Sequence, residues 1–134
     1  MNQTRIASWE PYVRSLLRII VGFTFSLHGA QKLFGLLGGM GGTGAKASFF
    51  SLAWAGGFLE FFGGVLILLG LFTVPVAFIL SGEMAVAYFM AHAPRGFWPI
   101  RNGGELAVLY CFDFLYLFTA GPGSWSLDAL LRKK

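Results

Sequence analysis

The sequence predicts an all-α integral membrane protein: a four-helix bundle followed by a short C-terminal interfacial helix. Three observations carry that prediction. Of the 134 residues, 56% are hydrophobic and only 12% are charged, against about 25% charged in an ordinary soluble domain. The mean hydropathy is +0.68. Four apolar stretches approach the length of about 20 residues that crosses a hydrocarbon layer of about 30 Å. A water-soluble chain this small has too much surface for its volume to hide so many apolar side chains.

The first span covers about Tyr12 to Phe34. Its apolar run from Ile19 to Leu27 leads into His28, Gln31 and Lys32 with no small-residue cleavage site, so it reads as a retained span rather than a cleaved leader. The second span covers about Leu52 to Phe72, after a long glycine-rich loop containing Gly38-Gly39-Met40-Gly41-Gly42. The third covers about Val74 to Ala93 and carries Pro75 near its first turn, where proline is tolerated. A tight turn around Thr73 makes spans two and three antiparallel neighbours. The fourth covers about Gly103 to Ala120, after a loop with Phe97-Trp98-Pro99, and is closed by Gly121-Pro122-Gly123. Trp125, Leu127, Leu130 and Leu131 followed by Arg132-Lys133-Lys134 give the tail the pattern of an interfacial helix. The whole chain, 1–134, reads as one domain.

Four spans put both termini on one side. Arg5, Arg14, Arg18, Arg132, Lys133 and Lys134 fall there, and Lys32, Lys46, Arg95 and Arg101 fall on the other. The positive-inside rule therefore places the termini in the cytoplasm. The net charge of +4 resides in chain ends and loops, which suits anionic lipid. No basic run with interleaved aromatics is present, so nucleic acid is not an expected partner. Cys111 is the single cysteine, which excludes an internal disulfide or a C-x-x-C pair.

Charged groups inside a membrane cost about 2.5–3.5 kcal/mol each on the insertion scale and need a partner or a reason. At a rise of 1.5 Å per residue, His28 sits roughly 9 Å and Glu60 roughly 12 Å below the outer surface. Lys32, His92 and Glu105 lie near outer span ends. These five residues from four helices converge on the outer half of the bundle. Arg18, Gly22, Phe25, Gly29 and Lys32 form one stripe of span one, and Gly56, Glu60, Gly63, Gly64 and Ile67 one stripe of span two. Glycines a turn from a carboxylate admit a neighbouring helix, and the simplest partner for Glu60 is His28 or Lys32. Glu83 and Asp113 lie deeper, and Arg18 either pairs with one of them or snorkels to the cytoplasmic surface. Glu83 and His92, nine residues apart, fall on opposite sides of an ideal helix and share a cavity only if the helix distorts before Pro94.

Each residue also has a purely structural reading. Asn102-Gly103-Gly104-Glu105 has the spacing of a capping box. Lys32 suits interfacial snorkelling, His92 an interfacial helix end, and His28 with Glu60 a structural polar pair. There is no P-loop, no G-x-S-x-G and no zinc-ligand spacing, and two histidines alone are a weak signal for haem or metal. No metal is expected.

Taken in order, Arg18, His28-Gly29-x-x-Lys32-Leu33-Phe34, Glu60-x-x-Gly63-Gly64, Leu69-Gly70-Leu71 with Thr73, Asn102-Gly103-Gly104-Glu105 and Gly121-Pro122-Gly123 with Ser126-Leu127-Asp128 resemble the DoxX family of bacterial membrane proteins over nearly the whole chain. The resemblance implies a multi-pass four-helix bundle in the bacterial cytoplasmic membrane. Through the family's DoxD relatives it also implies a link to thiosulfate:quinone oxidoreduction, and through other members a partnership with soluble enzymes of oxidative-stress or detoxification systems.

The expected function is a redox-associated membrane subunit that holds a quinone near the outer leaflet and takes electrons from a partner oxidoreductase. His28, Lys32 and Glu60 are the expected catalytic groups. His28, Glu60, Glu105, His92 and Phe25 are the expected cofactor contacts. Two alternatives stand beside it. One is a non-catalytic scaffold docking an oxidoreductase or stress-response enzyme. The other is a small transporter using Glu83 and Asp113, self-associated through its glycine faces.

Overall fold

A computed structural model of the chain describes residues 3–132, so the basic end Lys133-Lys134 lies outside the described residues. Among the described residues all regular elements are helical. Helix α1 (Gln3–Ala7) leads into α2 (Glu10–Phe34), which ends at Gly35 with a left-handed φ of 68°. Helix α3 (Leu52–Leu69) starts on Ser51, whose hydroxyl accepts the Trp54 amide. It opens into one wide π turn at Leu59–Gly63.

Helix α4 (Thr73–Arg95) contains a second π turn at Tyr88–His92 and finishes in a tight 3-10 turn at Ala93–Arg95. Pro94 lies in that final turn and has no N–H with which to continue the α ladder. Helices α5 (Pro99–Asn102), α6 (Glu105–Ala120) and α7 (Leu127–Arg132) complete the chain.

The α3–α4 turn explains why the second span is shorter than predicted. Gly70 takes a left-handed φ of 67°, and the Leu71 amide bonds back to the Leu66 carbonyl. This is a Schellman termination. The third span begins one residue earlier than predicted. Both Asp128 carboxylate oxygens, each at 2.9 Å, accept the amides of Phe72 and Thr73. Helix α7 is thus docked onto the turn through Asp128, while Leu130 and Leu131 remain exposed.

Helices α2 and α3 pack backbone to backbone. A Cβ on Gly22 would strike the Leu68 amide, and one on Gly29 the Phe61 amide. A Cβ on Gly64 would lie 2.7 Å from the Ser26 nitrogen, and one on Gly57 would lie 2.7 Å from Lys32 Cβ. Gly22 and Gly29 of α2 therefore face Gly64 and Gly57 of α3 in antiparallel order, the small-residue contact that lets helices approach without a side chain between them. Gly29→Ala is expected to lower stability by about 3 kcal/mol, the upper end for overpacking. Gly82→Ala, whose Cβ meets nothing within 4 Å, should leave the unfolding midpoint in detergent unchanged.

The second pair is α4 with α6, and all four long helices contribute to one core. Phe25 of α2 and Phe114 of α6 meet edge to face at 4.8 Å, with Leu80 and Met84 of α4 and Ile67 of α3 in the same cluster. The outward faces are apolar too: Ile20, Phe62, Phe78 and Phe112 are all exposed, a larger greasy surface than soluble monomers present.

Helices α3 and α4 are long and apolar enough to cross a membrane. Helix α2 has 25 residues but carries Glu10, Arg14, Arg18 and Lys32. Helix α6 has 16 residues, a rise of about 24 Å. It starts at Glu105 rather than at the predicted Gly103, because Pro99–Asn102 already forms the separate α5 turn and Gly103 is left-handed, with φ of 72°.

Arg18 neither pairs with an acid nor reaches the surface. It is fully buried at 0% exposure. Its Nε donates to the Pro122 carbonyl at 2.8 Å, its Nη1 to the carbonyls of Ile67 and Leu68 at 2.6 Å, and its Nη2 to the Trp125 carbonyl. The left-handed termination after Leu69 turns the end of α3 toward it, and the Gly121-Pro122-Gly123 turn folds the tail back over it. Four carbonyls from two segments thus close around one guanidinium.

Candidate functional site

The glycine contact that joins α2 to α3 also aligns their charged groups. Lys32 Nζ donates to Glu60 Oε1 at 2.5 Å. Glu60 is buried at 4% exposure inside the π turn of α3, while Lys32 is half-buried. Of the two predicted partners for Glu60, Lys32 is the one that pairs. His28 stands one helical turn away, edge-on to the Tyr110 ring at 6.1 Å.

Glu83 joins this pair, a placement that reading each span from its own ends missed. Its Oε1 lies 3.5 Å, and Lys32 Nζ 3.9 Å, from the point where a Gly56 Cβ would sit. A signal was available. Glu60 lies nine residues before the end of α3 and Glu83 ten after the start of α4, so counting from the shared turn puts them at one depth. Two carboxyl groups therefore face one ammonium. Among the described residues no protein donor reaches Glu60 Oε2 or Glu83 Oε2, although both atoms are buried.

Two cavities meet at the ion pair. The larger, about 520 Å³, runs between α3 and α4. Its inner end is Lys32, Glu60 and Glu83, its walls include Gly56, Gly82 and Ala87, and exposed Leu52, Ile79, Val86 and Met90 line its mouth. The smaller, about 320 Å³, lies among α2, α4 and α6 and is lined by Phe25, His28, His92 and Tyr110 as well as Lys32 and Glu60. Phe25 forms its apolar floor at 1% exposure.

His92 reaches the smaller cavity from the π turn before Pro94, with Nδ1 3.3 Å from the Asn102 carbonyl oxygen. Glu83 lines the larger cavity and His92 the smaller, so even with the helix distorted the two do not share one.

Glu105 stands apart. It is exposed at the first turn of α6 and lines neither cavity. The predicted capping box does not form, because Asn102 ends α5 instead of starting α6. Its side-chain oxygen accepts the Gly104 amide at 2.8 Å, and its nitrogen donates to the Gly96 carbonyl at 2.7 Å and to Tyr88 Oη at 3.2 Å. Asn102 is buried and ties the Phe97–Pro99 loop to α4, a role its sequence context did not signal. Asp113 is half-buried on α6 and lines none of the cavities described here. Among the described residues no three His, Cys, Asp or Glu side chains gather as a metal-ligand set.

Buried charges between glycine-faced apolar helices define a helical membrane protein with a polar cluster in its interior. Residues 13–93 match the family model for DoxX. A Haemophilus influenzae protein described as uncharacterised is 45% identical over 133 residues, covering 96% of this chain and 98% of its own. An uncharacterised membrane protein of Mycobacterium tuberculosis is 30% identical over 135 residues, covering 88% and 80%. A second Haemophilus influenzae protein is 35% identical over 68 residues, covering 51% and 45%. No solved structure matches. The chain belongs to the DoxX family and is a membrane protein.

Proposed function

We propose that this protein holds a quinone-class molecule in the groove between α3 and α4 and acts as the membrane subunit of an oxidoreductase. One observation carries the reading: an apolar groove of about 520 Å³ that ends on the Lys32–Glu60 pair, its carboxylate buried and its ammonium half-buried. Its size falls within the range of about 300–1,000 Å³ typical of small-molecule sites, and so does its design of apolar walls with few convergent polar groups. An ammonium has three N–H donors and Lys32 gives one to Glu60, so a carbonyl on the ligand can take another. Reduction of a quinone to a quinol consumes two electrons and two protons. The electrons come from a partner oxidoreductase, and the protons pass along the smaller cavity, where His28 and His92 border the same ion pair.

In this reading α2, α3, α4 and α6 all span a bacterial cytoplasmic membrane, with both termini in the cytoplasm and the site toward the outer leaflet. Gly82 supplies the test. It lines the groove, and a Cβ there meets nothing within 4 Å, so Gly82→Leu places an apolar side chain in the groove. Titration of a short-tailed quinone into purified protein in nanodiscs should show saturable binding, weakened at least tenfold by Gly82→Leu at unchanged melting temperature and also weakened by Glu60→Gln. Equal affinity in all three proteins would remove the site.

A scaffold role is favoured by a different feature. Phe97 and Trp98 on the loop before α5, with Ile100 of α5, are exposed and would serve as an apolar edge for a docked enzyme.

A further inference from the structure

We infer that the head group this groove is built to hold is a hydrogen-bond donor, so that it retains the quinol form in preference to the quinone. The inference deepens the function proposed above and rests on it. Its basis is the uneven supply of donors and acceptors at the inner end of the groove. Among the described residues Lys32 is the sole cation there, and it gives one of its three N–H donors to Glu60 Oε1 at 2.5 Å. Glu60 Oε2 and Glu83 Oε2 are both buried, and no protein donor among the described residues reaches either. Glu60 itself is nine-tenths buried or more, at 4% exposure, and lines the groove.

An unsatisfied buried acceptor costs about 1–3 kcal/mol, more when charged. A ligand that brings an O–H recovers that cost, and one that brings only acceptors does not. A quinone carbonyl only accepts, so it can take an N–H of Lys32 but leaves both carboxyl oxygens without a donor. A quinol hydroxyl donates to a carboxyl oxygen and still accepts from Lys32. Among the described residues no other titratable or charged side chain lines this groove: α3 gives Glu60, α4 gives Glu83, and α2 gives Lys32. The two π-turn histidine and tyrosine neighbours, His92 and Tyr88, lie outside it. Tighter holding of the quinol makes the bound quinone a stronger electron acceptor, which is the direction required if a partner enzyme delivers the electrons.

A matched pair of a short-tailed quinone and its quinol, titrated anaerobically into the full chain in nanodiscs, tests this. The expected result is quinol binding at least tenfold tighter, which raises the potential of the bound couple by about 30 mV for a two-electron couple. Glu83→Gln replaces one carboxyl oxygen by an N–H donor and should reduce the preference to under threefold by favouring the quinone. Equal or tighter binding of the quinone, still blocked by Gly82→Leu, would overturn the donor-head inference and leave the quinone site standing. No binding of either form would overturn both. A long-chain alkylamine that displaces the quinol at lower concentration would overturn the assignment to a phenolic head, because the donor would then be an ammonium.

Discussion

Arg18→Met should lower the unfolding temperature more than Gly29→Ala and at least as much as Lys32→Met. The guanidinium makes four hydrogen bonds to carbonyls of Ile67, Leu68, Pro122 and Trp125 while fully buried. Hydrogen bonds to a charged group contribute about 1.5–3 kcal/mol each, and each buried carbonyl left without a donor adds its own desolvation penalty. The contributions are not additive, so the expected net loss is about 4–6 kcal/mol, beyond the ordinary range for one substitution. Arg18→Lys should recover only part of it, since an ammonium is a point donor that cannot reproduce the planar fork. Thermal unfolding in detergent, followed by circular dichroism, measures both. A loss under about 1 kcal/mol for Arg18→Met would mean that the clamp contributes little to stability.

The second large effect is a difference between single and double variants. Lys32→Met leaves Glu60 buried beside Glu83 with no cation, and breaking a buried pair from one side costs about 3–5 kcal/mol. Lys32→Met combined with Glu60→Leu removes both charges, and well-packed apolar replacements of buried pairs are often neutral or better. The double variant should therefore be more stable than Lys32→Met alone and within about 1 kcal/mol of the parent. It should also fail to bind the quinone. Stability recovered while ligand binding is lost is the pattern expected if the ion pair is kept for function. Recovery of neither would instead make the pair a requirement of packing. Double-mutant thermal unfolding, with binding measured on the same preparations, reads out both.

The helices were legible because lipid-facing and core-facing residues are both apolar, which makes long uncharged runs unmistakable. The Lys32–Glu60 contact was legible as well, because glycine stripes on two antiparallel helices announce a close approach and each stripe carries one charge. Arg18 was not. Its partners are backbone carbonyls, which every residue possesses, so no side chain marks where a guanidinium will find them. Glu83 was misplaced because depth was counted from estimated span ends instead of from the Gly70 turn, whose position is sharp. Glu105 was read into the polar cluster because it lies near the outer end of the fourth span, with the Asn102 capping box as its structural alternative. The preceding proline starts a short turn that Asn102 closes, and this moves Glu105 onto the exposed first turn of α6. The wide turns at Leu59–Gly63 and Tyr88–His92 shift helical phase by a residue, which no count at 3.6 residues per turn reveals.

The Arg18 clamp also bears on how the chain is made. Two of its acceptors, on Pro122 and Trp125, are 104 and 107 residues downstream. At a synthesis rate of about 5–20 residues per second, that is a delay of roughly 5–20 s. Throughout that interval α2 holds an incompletely satisfied cation, and a translocating machinery must shelter it or let it sit near water. A segment made long after α2 is then the one that closes around its arginine, so a nascent chain stalled before Pro122 should remain open to quality-control proteases that ignore the finished protein.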